Sequence, residues 1–174
     1  MTKKEIIHQL TIKHSEIADL ISSLNDTDFC YSSDSKWTAG QQLDHIILSV
    51  SPLAKALLLP RFILKRLFGK ANRPSKDYDS LVKKYVSKLD AGGKAPTPFI
   101  PKTVESNQKK KLKSKSLKLV TKLCKQVDGF SEQQLDEYIL PHPLLGKVTI
   151  REMLYFTIYH AEHHQKITLR NLGR

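Results

Sequence analysis

Three threonines, each followed three residues later by glutamate or glutamine, stand directly in front of segments whose apolar residues recur with helical spacing. The pairs are Thr2 with Glu5, Thr38 with Gln41 and Thr149 with Glu152. In such a capping box the threonine hydroxyl accepts a hydrogen bond from the first turn of a helix, and the glutamate or glutamine reaches back to the backbone N–H of the threonine. This local chemistry fixes where a helix begins, so the sequence predicts three helix starts.

Apolar residues at spacings of three, four and seven extend each start into a long amphipathic helix. The predicted helices cover residues 2–24, 39–58 and 149–169, and a fourth runs from about Thr103 to Val127. Pro52 in the second helix predicts a kink or an end near residue 51. No strand pattern of comparable strength occurs in the sequence, so the predicted fold is all-α.

Four long helices that each carry an apolar face can bury those faces by packing together as a four-helix bundle. The connections are predicted to hold two short helices, Pro60–Phe68 and Tyr78–Leu89, and a long proline-rich crossover between Asp90 and Lys102. The polar stretch from Asn25 to Lys36 is predicted to be a loop. Because a length of 174 residues suits one domain, residues 1–174 are predicted to form a single helical bundle.

The composition excludes several classes of protein. A hydrophobic fraction of 40% with 26% charged residues is that of an ordinary globular chain, and no apolar run reaches membrane-spanning length. The net charge of +12 invites a nucleic-acid interpretation, but much of the excess lies in residues 109–118, which have the spacing of a solvated helix face. We favour the solvated face. The N-terminus lacks a secretory signal, so a cytoplasmic location is expected, and Cys30 and Cys124 are expected to be free, partly buried thiols.

Three of the seven histidines, His160, His163 and His164, fall within five residues near the end of the chain. On a helix, His160 and His164 lie one turn apart on the same face, an arrangement able to chelate one divalent metal ion. His45, in the apolar stripe of the second helix, completes a three-histidine site if the second and last helices are neighbours. Zinc or nickel is favoured, and iron or cobalt would also suit three imidazoles. His163 is an alternative ligand, and a hydrogen-bonded core residue is the alternative role of His45.

The side chains around these histidines carry further predictions. Four of them are candidates to hydrogen-bond the ligating rings: Gln41, Ser49, Thr157 and Glu162. The remaining histidines His8, His14 and His142 are predicted to lie at the surface. His142 belongs to a predicted turn, Pro141–Lys147, and would border the site if this turn folded over it. Trp37 is predicted to pack as a hydrophobic staple or core residue.

The motifs assembled so far resemble those of a known family. They are Trp37-Thr38-Ala39-Gly40-Gln41-Gln42-Leu43-Asp44-His45, His142-Pro143-Leu144-Leu145-Gly146-Lys147-Val148-Thr149 and His160-Ala161-Glu162-His163-His164. From about residue 35 to 168, the chain is similar to the DinB/YfiT-like superfamily of metalloenzymes. The resemblance implies a DinB-like four-helix bundle with a metal centre at His45, His160 and His164.

Relatives in that superfamily include thiol-dependent transferases and isomerases that use bacillithiol, mycothiol or glutathione. The resemblance therefore implies a metal-dependent thiol S-transferase. The three histidines without an evident fourth protein ligand also suit a hydrolase that uses metal-bound water, and in either enzyme the metal would lower the pKa of the bound nucleophile. Its partner would be a small-molecule substrate, an anionic thiol attracted by the basic surface, rather than nucleic acid or a membrane. The alternative is a non-catalytic basic stress-response bundle with a structural metal, which binds nucleic acid or another acidic partner. A homodimer is the default oligomeric expectation.

Overall fold

All three predicted capping boxes begin helices in the computed structural model, which describes residues 1–32 and 36–174. The hydroxyl oxygens of Thr2, Thr38 and Thr149 accept hydrogen bonds from the backbone N–H three residues on, at 3.3, 3.2 and 3.1 Å. The reciprocal bonds from the three threonine N–H groups to the glutamate or glutamine side chains measure 2.7, 3.0 and 2.9 Å. The helix starts are therefore decided within four residues of chain, as the sequence predicts.

Within the described residues, the chain forms eight α-helices and one two-stranded hairpin. They are α1 (Lys3–Ser23), α2 (Asp26–Cys30), α3 (Ala39–Ala56), α4 (Arg61–Phe68), α5 (Tyr78–Asp90), α6 (Lys109–Asp128), α7 (Glu132–Glu137), β1 (Ile139–His142), β2 (Gly146–Thr149) and α8 (Ile150–Asn171). Two single-turn 3₁₀ helices, Thr97–Phe99 and Ser106–Gln108, lie in the crossover between α5 and α6.

The four long helices α1, α3, α6 and α8 form the bundle. Both α1 and α3 pack against α6 and α8, and the side chains between them include the fully buried Leu10, Ile17, Leu43, Leu123 and Leu154. This packing confirms the predicted all-α four-helix bundle. Outside it, α5 packs against α8, and the turn Thr97–Phe99 packs against α3. This turn therefore holds the crossover against α3.

Two connections differ from their predicted structure, and one of the two alternatives predicted at Pro52 is excluded. Part of the predicted loop Asn25–Lys36 is the helix α2, because the side chain of Asn25 accepts a hydrogen bond from the N–H of Asp28 at 2.8 Å. Residues 33–35 of that loop lie outside the described residues. α6 begins at Lys109 rather than near Thr103, after a 3₁₀ turn. α3 does not end near residue 51 but continues through Pro52 to Ala56, since the buried turns on both sides hold it in place.

The segment around Pro141–Lys147, predicted as a turn, forms a β-hairpin. β1 pairs antiparallel with β2, with Ile139 opposite Thr149 and His142 opposite Gly146. Gly146 has a φ of 75°, the left-handed conformation that short hairpin loops require. Strands of four residues, one of them containing a proline, show no usable alternation, so the sequence pattern did not reveal them. The hairpin matters for function because it places His142 beside α8.

Two predictions from composition can be compared with the structure. Among the described residues, no single helix is long and apolar enough to cross a membrane, and α3 with α4 reaches that length only as a pair bent by 112°. Both cysteines are free. Cys124 is partly buried as predicted, whereas Cys30 is exposed, so the prediction of a partly buried thiol is wrong for Cys30.

His14 on α1 is fully buried, so its predicted surface position is wrong, whereas His8 is exposed as predicted. The ring of His14 donates a hydrogen bond from Nδ1 to the carbonyl oxygen of Leu10 at 2.8 Å, and among the described residues its Nε2 has no partner. Burial lowers the pKa of His14 to about 4, and the bond to Leu10 only partly opposes this shift. The residue is therefore neutral in the folded protein.

We expect acid to destabilise the wild-type protein more than a His14→Leu variant. The unfolded chain takes up a proton near pH 6.5 but the folded chain only near pH 4, so stability falls as the pH drops through this window. The full effect of this one residue is about 3 kcal/mol. Urea unfolding at pH 7, 5.5 and 4.5 measures it, and His8→Leu is the exposed control. Parallel stability curves for wild type and His14→Leu would contradict the prediction.

Candidate metal centre

Two helices supply the three histidines predicted to form a metal site. α3 carries His45, and α8 carries His160 and His164 one turn apart on the face that packs against α3. All three side chains are buried, with exposed fractions of 4, 4 and 5%. The structure thus brings the three predicted residues to one place in the bundle.

The rings meet through their Nε2 atoms. Nε2 of His160 lies 3.1 Å from Nε2 of His45 and 3.0 Å from Nε2 of His164. One ligand atom from each residue falls within 4.8 Å of the other two. Around a tetrahedral zinc ion, nitrogen ligands would be separated by about 3.3 Å, so the two separations from His160 are within a few tenths of an ångström of those in a metal site.

Hydrogen bonds at the far side of two rings fix their tautomers. Nδ1 of His45 donates to the main-chain oxygen of Phe99 at 2.6 Å, and Nδ1 of His164 donates to Oε1 of Gln42 at 2.5 Å. A carbonyl oxygen can only accept a hydrogen bond, so the Nδ1 atoms of His45 and His164 carry the ring protons. The Nε2 atom of each neutral ring therefore has a lone pair directed at His160. A neutral His160 has one proton at most for these two lone pairs. At least one of these lone pairs therefore has no hydrogen-bond donor, and a bound cation would give it a partner.

The electrostatic surroundings keep the imidazoles unprotonated. Burial lowers the pKa of His160 and His164 well below the ordinary value, and the neighbouring histidines add to the shift. Burial also lowers the pKa of His45, against the opposing effect of its bond to Phe99. Neutral imidazole is the form that binds a metal ion. Three neutral, oriented rings fit a divalent cation of the kind that prefers nitrogen ligands.

The predicted hydrogen-bond partners of these rings are wrong. Ser49 and Thr157 donate to main-chain oxygens on their own helices, Gln41 caps α3, and Glu162 accepts a hydrogen bond from Lys166. The actual partners are Gln42 and Phe99. Gln42 belongs to a strip of polar residues, Gln41, Gln42 and Ser49, that borders the apolar stripe of α3 beside His45. This spacing in the sequence could have indicated Gln42 as a partner of the ring cluster. Phe99 contributes its main-chain oxygen, and a hydrogen bond from a main-chain atom of the crossover cannot be predicted from a pattern of side chains.

A cavity of about 320 Å³ adjoins the three histidines. Its wall is mostly apolar, with Val50, Leu53, Phe68, Leu89, Leu140, Leu144, Met153 and Phe156 among the lining residues. Trp37, predicted to be a staple or core residue, also lines it, with its ring centroid 4.8 Å from that of His45. The three histidines are part of the same wall, so a metal ion bound there would face this space.

Two further histidines border the cavity. His142 is only 9% exposed, so its predicted surface position is wrong and the stated alternative, a turn folded over the site, describes it. His163 lies on α8 with its ring centroid 5.3 Å from that of His164, but it contributes no atom to the cluster of three. The structure therefore favours His160 and His164 over His163 as the pair that works with His45.

Comparison with known proteins adds one match. The family model described as the DinB superfamily matches residues 9–167. No curated protein matches the sequence. The matched range contains all of α3 and most of α8, and with them the three histidines and Gln42.

Proposed function

We propose that this chain, which belongs to the DinB superfamily, is a metal-dependent enzyme that transfers a low-molecular-weight thiol to an apolar acceptor. The observation that carries the proposal is the convergence of three buried imidazole nitrogens on the wall of an apolar cavity. Catalytic zinc sites usually have three protein ligands and an open position, whereas structural sites are closed by four. Among the described residues, the group that could hold a metal contains three histidines and no fourth ligand.

A divalent metal held by these nitrogens would lower the pKa of a thiol that reaches it, and so supply a nucleophile at neutral pH. The protein contributes orientation and exclusion of water. Gln42 and Phe99 hold two of the rings in the ligating tautomer, and such partners strengthen a metal site considerably. The apolar side chains of the cavity would take the acceptor and keep water away from the nucleophile.

The charge distribution supports an anionic thiol as the substrate. Lys94, in the crossover, is exposed and lines the cavity that the histidines border. The net charge of +12 adds a long-range attraction for anions. Nucleic acid is left out of the proposal because part of the lysine-rich helix α6 is engaged within the molecule. Lys113 pairs with Asp19 at 2.7 Å, and Lys109 with Asp26 at 2.9 Å.

The proposal is tested with untagged protein loaded with zinc or nickel. Bacillithiol, mycothiol and glutathione are each incubated with an apolar aromatic electrophile, 1-chloro-2,4-dinitrobenzene, and the S-conjugate is measured by mass spectrometry. We expect conjugation above the uncatalysed rate with at least one thiol, and none above it after removal of the metal by a chelator. Ester hydrolysis without any thiol would assign a hydrolase instead. A metal-loaded protein that accelerates neither reaction contradicts the proposal.

Lys94→Ala is expected to raise KM for an anionic thiol about two- to fivefold while kcat stays unchanged, because an exposed charge contributes to encounter and weak binding only. The difference between wild type and variant should shrink as salt is added. Lys118→Ala on α6, an exposed lysine outside the cavity wall, is the matched control. Equal changes in KM for both variants would show that general surface charge, rather than Lys94, attracts the thiol.

A further inference from the structure

His142 is a buried polar residue in the cavity wall to which the proposed chemistry gives no role. It ends β1, and the loop that follows it folds back onto its ring. The backbone N–H groups of Leu144 and Leu145 both donate to Nδ1 of His142, at 3.1 Å each. Lys84 on α5 holds the same loop by donating to the main-chain oxygen of Leu145 at 3.0 Å. The loop and the ring therefore form one fixed unit.

These contacts determine the tautomer of His142. A nitrogen that accepts two N–H donors cannot itself carry a proton, so the proton of the neutral ring is on Nε2. Burial lowers the pKa of His142 to about 4, and the positive charge of Lys84 adds to the shift. At neutral pH the residue therefore presents one N–H donor.

The ring is held in an apolar setting. Its centroid lies 4.2 Å from that of Phe156, edge to face, and 6.3 Å from that of Tyr85. No described residue accepts a hydrogen bond from its Nε2–H, although the residue is nine-tenths buried and lines the cavity. Among the described residues, the buried side-chain atoms without a partner do not include this nitrogen, so its N–H is open to the cavity. A donor that faces a mostly apolar cavity and has no protein acceptor favours a ligand that brings one, because that hydrogen bond forms away from bulk water.

We propose that the Nε2–H of His142 binds an oxygen atom of the second substrate, which is an apolar molecule bearing a hydrogen-bond acceptor such as a ketone or ester carbonyl. This acceptor class rests on the proposed thiol transfer. In that transfer the sulfur of the thiol would form a bond to the carbonyl carbon. With a ketone the thiol proton would end on the carbonyl oxygen, and with an ester the bond to the alcohol oxygen would break and the proton would leave with the alcohol. His142 is a positioning residue in this scheme: its bond orients the acceptor within a cavity whose other contacts are mostly apolar and therefore non-directional. The fixed tautomer gives the cavity a preference that its shape alone would not provide.

Two substitutions separate the functions of the two ring nitrogens. His142→Asn places an amide oxygen near the position of Nδ1, so it can still accept from Leu144 and Leu145, but it has no donor at the reach of Nε2. His142→Gln places an amide NH₂ near the position of Nε2 and gives up the acceptor for the loop. The probes are acetophenone and ethylbenzene, which differ by a carbonyl in place of a methylene. Binding to the metal-loaded protein is followed through the NMR signal of the indole N–H of Trp37, which is the single tryptophan and lines the cavity.

We expect the preference for acetophenone over ethylbenzene to fall about five- to tenfold in His142→Asn, the range for loss of one hydrogen bond. Ethylbenzene should bind both proteins equally, and His142→Gln should recover much of the preference. His8→Asn, at an exposed histidine, controls for the loss of an imidazole. An unchanged preference in His142→Asn overturns the inference.

A measurement on the wild-type protein decides the case even if the variants fold poorly. In ¹⁵N-labelled protein, the Nε2 signal of His142 should be that of a protonated nitrogen and should move with acetophenone but not with ethylbenzene. A proton on Nδ1, or equal shifts with both probes, overturns the inference. Neither readout requires turnover. Absence of thiol transfer with a normal probe preference rejects the proposed function alone, and the opposite result rejects only the role of His142.

Discussion

His160→Ala is expected to reduce the bound metal to below about one-tenth of the wild-type content, the largest effect on function that any single substitution in the centre should have. Nε2 of His160 lies 3.1 Å from that of His45 and 3.0 Å from that of His164, so its removal leaves two converging imidazole nitrogens in place of three. Two histidines hold a divalent ion far more weakly than three. Elemental analysis of untagged protein, dialysed against a buffer of fixed free metal concentration, measures the change.

Two further variants provide metal contents with which that of His160→Ala can be compared. Gln42→Leu removes the acceptor for Nδ1 of His164 but no ligand, and we expect it to weaken metal binding about 10- to 100-fold without abolishing it. His163→Ala should leave the metal content unchanged, because His163 lies outside the cluster. Circular dichroism establishes that each variant is folded. Stoichiometric metal in His160→Ala would reject the three-histidine centre, and with it the proposed function.

Glu152→Ala is expected to lower the free energy of unfolding by about 3 kcal/mol, the largest effect on stability at neutral pH that we predict. The carboxylate of Glu152 is fully buried and accepts two hydrogen bonds from Arg73, at 2.7 and 2.9 Å. It also accepts from the backbone N–H groups of Lys76, at 2.8 Å, and Thr149, at 2.9 Å. Burial by itself opposes ionisation, but these bonds outweigh it and lower the pKa of Glu152.

Urea unfolding of Glu152→Ala and Glu5→Ala tests this prediction with a matched pair. Glu5 occupies the same place in the capping box of α1, but it is exposed and caps only its own helix. We expect a much smaller loss of stability for Glu5→Ala, since water can replace the missing acceptor. Similar losses in the two variants would show that Glu152 acts as a helix cap and that its contacts with Arg73 and Lys76 add little.

The contrast between these two glutamates shows how far the sequence alone could lead. Both capping boxes are readable from residues three apart, because the bonds that define them close within one turn of chain. The ion pair between Glu152 and Arg73 joins residues 79 positions apart, so no local sequence pattern predicts it. The same limit explains the errors at His14 and His142. His14 has polar neighbours in sequence and His142 stands between two prolines, and each is buried by elements remote in the chain.

The metal centre, too, could be predicted from the sequence only in part. Its histidines could be named from the sequence, since His160 and His164 share a helix face and His45 interrupts an apolar stripe on a helix that had to be buried. The orientation of their rings could not be predicted. The carbonyl oxygen that holds the ring of His45 belongs to Phe99, which is 54 residues away in a crossover without side-chain periodicity.

The sequence by itself determined the four long helices, the starting points of the three that have capping boxes, and the identity of the three convergent histidines, because hydrophobic spacing and capping act over one or two turns of chain. Only the tertiary structure decided which nitrogen of each ring faces the centre, that Gln42 rather than Gln41 supports it, and that a hairpin brings His142 into the cavity wall. These features depend on hydrogen bonds between segments that meet only after the bundle has packed. Such contacts carry no period in the sequence.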